Sequence, residues 1–134
     1  MYQGSCLCGG IKVAISGPIS QIIHCHCSLC RKSSGTAFAT NGFVELVDFN
    51  LSDEANFLSN FEFSPGKRRY FCRRCASPIY SANEQDSKRI RLRLGILDSA
   101  INERPISHNF VTSKANWEEM DAKLPWYEGH EPGR

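Results

Sequence analysis

Seven cysteines in three tight clusters constrain this chain more than any other feature: Cys6-Leu7-Cys8, Cys25-His26-Cys27-Ser28-Leu29-Cys30 and Cys72-Arg73-Arg74-Cys75. Seven is odd, so complete disulfide pairing within the chain is impossible. The redox compartment decides how such clusters are read. Residues Met1 to Cys6 show neither a basic n-region nor an apolar run, so they do not look like a secretory signal. No apolar run of about eighteen residues occurs, and no membrane span is expected. The chain is therefore expected in a reducing compartment, the cytoplasm. There, closely spaced cysteines are metal ligands or redox thiols before they are structural bridges. A thioredoxin-like redox pair needs βαβ surroundings that this sequence lacks.

Zinc takes four soft ligands in a closed structural site and leaves a position open in a catalytic one, so seven divides naturally as four plus three. Two partitions fit the spacing. Cys27 and Cys30 with Cys72 and Cys75 would make a zinc ribbon with a long insertion. Alternatively Cys6 and Cys8 join Cys72 and Cys75, and Cys25, Cys27 and Cys30 form a local triad. The second is favoured mildly, because a Cys-x-Cys-x-x-Cys run closes on one ion without help from distant chain. An isolated cysteine is ordinarily core filler, but three clusters in 134 residues are not isolated.

The rest of the composition is that of an ordinary globular domain, with 41% hydrophobic and 22% charged residues. Its formal net charge of +2 is too small to announce nucleic acid or membrane. A chain of this length carries one core, assigned to residues 1–128, with a frayed tail over 129–134. Period-2 alternation dominates. Ile11, Val13 and Ile15 share one face of a strand, and further short strands are expected over Gln21–Cys25, Phe38–Thr40, Phe57–Phe63, Lys67–Phe71 and Ile79–Ala82. Over Lys88–Leu94, Ile90, Leu92 and Leu94 alternate with Arg89, Arg91 and Arg93, predicting one buried and one wet face. Residues 48–56 read as a polar surface loop. Helical turns are expected only after Cys27 and over Ala115–Ala122. The fold class is mostly β, built of short antiparallel strands.

Gly4-Ser5-Cys6-Leu7-Cys8-Gly9-Gly10-Ile11, then Cys25-His26-Cys27-Ser28-Leu29-Cys30-Arg31-Lys32, then Cys72-Arg73-Arg74-Cys75-Ala76-Ser77-Pro78 resemble, in order, the three signatures of the glutathione-dependent formaldehyde-activating enzyme family, which includes centromere protein V. His108, with Val111-Thr112-Ser113-Lys114 and Trp117, resembles that family's ending. The resemblance implies a β-tent around two zinc ions per chain: a structural one on Cys6, Cys8, Cys72 and Cys75, and a catalytic one on Cys25, Cys27 and Cys30. It also implies a carbon–sulfur lyase, or thiol–aldehyde adduct enzyme, acting on a small thiol such as glutathione and an aldehyde such as formaldehyde. One departure stands out. The family usually has glycine where this chain has Ala76, and an alanine there is strained if the backbone needs positive φ.

Ligand chemistry agrees with the expected reaction. Three thiolates leave a zinc site with a net charge of 2 minus 3, too electron-rich to acidify water well but suited to capturing a fourth sulfur. Arg31 and Lys32 adjoin the triad and are the basic residues best placed to meet an anionic thiol; Lys67, Arg68, Arg69, Arg73 and Arg74 read more simply as a solvated face. His24 and His26 bracket Cys25. In extended chain His26 points away from the side shared by Cys25 and Cys27, and His24 is a weak candidate ligand. His108 and Trp117 read as core or rim packing before cleft lining. The rival reading is a non-catalytic zinc module for protein or nucleic acid. Nucleic acid is disfavoured because no aromatic residues alternate with Arg89, Arg91 and Arg93.

Overall fold

Alternation in the sequence becomes strand after strand in the computed structural model, which describes residues 1–120 and 123–134. In chain order the strands are β1 Tyr2–Ser5, β2 Lys12–Ile15, β3 Ser20–Cys25, β4 Ala39–Glu45, β5 Phe49–Ser52, β6 Leu58–Ser64, β7 Lys67–Cys72, β8 Pro78–Asn83, β9 Arg89–Arg93 and β10 Ser107–Asn109. One short helix, α1, spans Ser28–Ser34 between β3 and β4. Cys27 caps it, its sulfur accepting from the Cys30 N–H, and Gly35 ends it in the left-handed conformation at φ 69°.

The strands form two sheets, ordered β1-β2-β5 and β10-β3-β4-β9-β8-β7-β6. Neighbours pair antiparallel apart from β10, which runs parallel to β3 with Asn109 opposite Cys25. The sheets meet where Gly4 bridges to Leu97. A Cβ at Gly4 would drive into the Ile96 carbonyl, so this crossing requires glycine. Between the sheets lie Ile15, Ile19, Ile22, Val44, Ile90 and Leu92. A second cluster joins Ile11, Val13 and Ile79 to Cys6 and Cys72, so the first cysteine group is part of the core. Complete burial of Ile11, Ile15 and Ile79 contributes roughly 1.5–3 kcal/mol per side chain.

Three expectations differ from the structure, and a fourth falls partly outside the described residues. Residues 49–52, expected as loop, form β5, which pairs with β2 so that Phe49 and Leu51 reach the core; four residues flanked by polar side chains are too short for alternation to show. The arginine side of β9 is not wet. Arg93 is only 8% exposed, and Arg89 and Arg91 are half-buried with their guanidinium groups over the Phe43 ring. The tail expected to fray is docked: Glu131 is buried, accepting from Asn109 Nδ2 at 2.6 Å and from Arg134 Nε at 2.6 Å. Of the turns expected over Ala115–Ala122, Glu118 donates its N–H to the Ala115 carbonyl; Asp121 and Ala122 lie outside the described residues.

Candidate metal centres

The hairpin turn between β1 and β2 carries Cys6 and Cys8. The Cys6 N–H bonds to the Ile11 carbonyl and the Gly9 N–H to the Cys6 carbonyl, which folds both thiols toward one point. Cys72 ends β7, and Cys75 follows in the tight turn to β8, where the Ala76 N–H reaches the Cys72 carbonyl at 2.7 Å. These four sulfurs lie within 4.8 Å of one another. A tetrahedral zinc with Zn–S bonds of ~2.3 Å has sulfur–sulfur edges of ~3.8 Å. Cys6 to Cys8 is 3.6 Å and Cys8 to Cys72 is 3.8 Å. The Ile11 N–H points at the Cys6 sulfur, 3.3 Å away, and the Cys75 thiol donates to Ser77 Oγ at 3.3 Å.

Thiols this close cannot all ionise alone. Despite the Gly10 N–H that favours its thiolate, Cys8 is pushed up to about 11 by burial and by the sulfurs of Cys6, Cys75 and Cys72. Cys75 moves the other way: against a burial penalty, hydrogen bonds from Ser77 pull it down to about 5. A divalent cation at the centre would remove that conflict, and the donor set fits a closed four-thiolate site.

Cys25, Cys27 and Cys30 form the second group, also within 4.8 Å of one another. Cys25 is the last residue of β3, Cys27 caps α1 and Cys30 sits in its first turn, so the local chain closes on itself as the spacing predicts. The zinc-ribbon partition is not formed. Cys25 is pushed far up by its neighbouring sulfurs and by burial. Cys30 is pulled far down because Cys25 and Cys27 donate to it, with the charges of Arg69 and Arg93 assisting. The Cys30 sulfur lies 3.7 and 3.8 Å from the two terminal nitrogens of Arg69.

This second group faces a cavity of about 210 Å³, whose lining includes none of the other four cysteines. Six cations line it, Lys67, Arg69, Arg89, Arg91, Arg93 and Arg134, against one carboxylate, Asp86, which pairs with Arg89 at 2.6 Å. Their charge is only partly attenuated by burial: desolvation lowers Arg93 to about 10, leaving it protonated at neutral pH. Arg31 and Lys32 are placed otherwise. Arg31 Nε donates to the Ser113 carbonyl at 3.2 Å, Lys32 is exposed on α1, and neither lines the cavity. Five of the lining cations come instead from alternate positions of β7 and β9, and Arg134 comes from the C-terminal segment. Their signal in the sequence was the matched period of Lys67 and Arg69 with Arg89, Arg91 and Arg93, read there as a solvated face.

Among the described residues no histidine joins either cysteine group, although His130 lines the same cavity as Cys25, Cys27 and Cys30. His26 is fully buried, with Nε2 2.8 Å from His108 Nδ1, and His24 Nδ1 meets Thr40 Oγ1 at 2.8 Å. Burial and the neighbouring His108 and His24 lower His26 to about 4, so it is neutral at physiological pH. His108 packs in the interior as expected, whereas Trp117 is exposed and does not line the cavity.

A family model described as glutathione-dependent formaldehyde-activating enzyme matches residues 1–113, a span that includes all seven cysteines. The chain belongs to the glutathione-dependent formaldehyde-activating enzyme family. A Halomonas elongata relative, provisionally named for that activity, is 25% identical over 131 residues, covering 92% of this chain and 83% of its own. An Aspergillus flavus protein with the same provisional name is 29% identical over 83 residues, covering 60% of this chain and 44% of its own. The fold is shared with a crystal structure of a Rhodobacter sphaeroides protein, at a TM-score of 0.62 and 19% identity over 92% of this chain and 98% of that one. No helix among the described residues is long and apolar enough to cross a membrane.

Proposed function

We propose that this member of the formaldehyde-activating family binds two zinc ions and joins a small thiol to an aldehyde, running the same carbon–sulfur bond in reverse as a lyase. The observation that carries the reading is the contrast between the two cysteine groups. Four sulfurs close on one another within the core, while three open onto a charged cavity. Zinc held by Cys25, Cys27 and Cys30 supplies a soft, open position suited to a substrate sulfur.

The chain's own residues do the rest. The cations around the cavity draw in an anionic thiol and favour loss of its proton. Arg31 and Lys32, on α1 beside the triad, add to that positive field. Arg69, in contact with Cys30, favours the thiolate of that cysteine. Phe43, Phe63 and Phe110 line the same space and limit competing water. Thiolate sulfur then attacks the aldehyde carbon: the carbon–sulfur bond forms, the carbonyl π pair moves to oxygen, and a proton from solvent completes the hydroxymethyl thioether. The four-cysteine group serves structure alone, and the expected setting is the reducing cytoplasm. The non-catalytic rival loses its best feature, since the arginine strip of β9 faces this cavity.

The test is zinc content per chain together with the rate of glutathione addition to formaldehyde, followed by NMR. The reading requires two zinc equivalents, one of them responsive to glutathione, and a rate above the spontaneous one. Zinc-loaded protein that neither binds glutathione nor changes that rate would sink it.

A further inference from the structure

The cysteine triad explains one wall of the cavity and leaves the opposite wall, a cationic sheet face, unaccounted for. Strand register builds that face. On β9, Arg91 stands between Phe43 of β4 and Ser81 of β8, and Ser81 stands beside Arg69 of β7. Arg93 stands beside Asn41. Paired residues point to the same side, and adjacent strands are ~4.8 Å apart, so Arg91 and Arg69 rise ~10 Å from each other with only a serine between them. Two side chains of that length can converge on one ligand above Ser81.

Charge balance argues that something anionic belongs there. Asp86 pairs with Arg89, and Glu131 with Arg134. Lys67, Arg69, Arg91 and Arg93 have no carboxylate within salt-bridge distance among the described residues. A zinc with three thiolates carries a net charge of only −1, so compensation of that site does not use four cations. Hydrogen bonding points the same way. The Nε atoms of Arg69 and Arg91 are both buried without an acceptor, so an anion in the cavity is left to their terminal nitrogens, those of Arg91 first, since Arg69 already reaches Ser33 Oγ and Cys30 Sγ. Arg93, nearly buried, has only long contacts of 3.4 Å, to Ser81 Oγ and the Arg91 carbonyl.

We propose that this sheet face is an oxyanion subsite, in which Arg91 and Arg69 receive the acidic group of the substrate, so that the preferred thiol is a short mercapto acid or the acidic end of a longer thiol. Arg91 is the residue that sets this preference, and Arg69 stands between the anion and the sulfur of Cys30. The cavity of about 210 Å³ is below the ~300–1,000 Å³ that encloses a drug-sized ligand. It encloses an acidic segment and leaves the remainder of a tripeptide outside. The sulfur end of this assignment rests on the thiol–aldehyde reading; the anion end does not.

The experiment therefore uses a probe without a thiol. Binding of 3-(methylthio)propionate to the protein as purified is compared, by calorimetry at low salt, with binding of its neutral counterpart 2-(methylthio)ethanol. The acid is expected to bind at least about 10-fold tighter, and Arg91→Gln to lose roughly 10- to 100-fold in affinity for the acid alone. Arg91→Lys keeps a positive charge but not the fork, and several-fold weakening is expected, which preserves the test if the glutamine variant misfolds. Equal binding of acid and alcohol, or full affinity in folded Arg91→Lys and Arg91→Gln proteins, overturns the subsite. If that occurs while glutathione addition is still accelerated, the function stands without it. Acid binding with no acceleration upholds the subsite and removes the function.

Discussion

Replacing Ala76 with glycine should make this protein more stable, although glycine ordinarily does the opposite. Ala76 sits at φ 66°, in the left-handed region, directly after Cys75. The turn holds it there because its N–H must reach the Cys72 carbonyl at 2.7 Å for both thiols to face the four-cysteine centre. An L-residue in this conformation costs about 1–2 kcal/mol. Glycine removes that strain but adds about 0.5–1 kcal/mol of unfolded-state entropy. The Ala76 side chain is exposed, so little packing is lost. The net expectation is a gain of about 0.5–1 kcal/mol. With an unfolding entropy of about 2.1 cal/mol/K per residue, that raises Tm by roughly 2–4 °C for a chain of 134 residues. Differential scanning calorimetry on metal-matched samples reads it, with Ala76→Val as the counter-variant, expected to lower Tm because a β-branched residue tolerates positive φ poorly. An unchanged or lower Tm in Ala76→Gly at equal metal content would show that this backbone is relaxed, and the strain reasoning would fail.

Other perturbations separate the parts of the fold. Cys8→Ser should lose one metal equivalent and destabilise the whole chain by about 3 kcal/mol or more, whereas Cys27→Ser should lose one equivalent and keep its far-UV circular dichroism; similar spectra for both would contradict the division of labour. Gly4→Ala should cost about 2–3 kcal/mol in urea unfolding, since the new methyl meets the Ile96 carbonyl. Glu131 is held below the ordinary carboxylate value: burial opposes ionisation, but hydrogen bonds from Asn109 and the charge of Arg134 outweigh it. Its contribution is therefore present above the unfolded carboxylate pKa near 4.5 and is lost as pH falls through the lower folded value. Glu131→Gln should lower stability at pH 7 by about 1–3 kcal/mol and flatten the acid limb of the stability–pH curve; an unaltered acid limb would exclude this role.

Local pattern carried much of this structure. Ile11, Val13 and Ile15 are buried as their period required, and the Cys-x-Cys-x-x-Cys run closed on itself because its geometry is local. The resemblance supplied what spacing left open, namely that Cys6 and Cys8 meet Cys72 and Cys75. What stayed hidden depends on distant chain. β10 is three residues long and pairs in parallel with β3, a contact that leaves no periodic trace. Glu131 reads as a tail residue until Asn109 is placed against it. Alternation told which side Arg89, Arg91 and Arg93 share, but not that this side looks onto a cavity, because period 2 separates faces without saying what covers each. Arg31 and Lys32 were favoured for nearness in sequence, while the residues near in space came from β7 and β9.

The two cysteine groups are nested along the chain: Cys25, Cys27 and Cys30 lie inside the loop that runs from Cys8 to Cys72. A metal tying the ends of that loop acts as a removable cross-link, and closing a loop of this length restricts the unfolded chain by about 4 kcal/mol on the scale used for disulfides. A metal on Cys6, Cys8, Cys72 and Cys75 would therefore frame the inner group, so that stripping it would loosen both, while emptying the inner group would leave the frame standing.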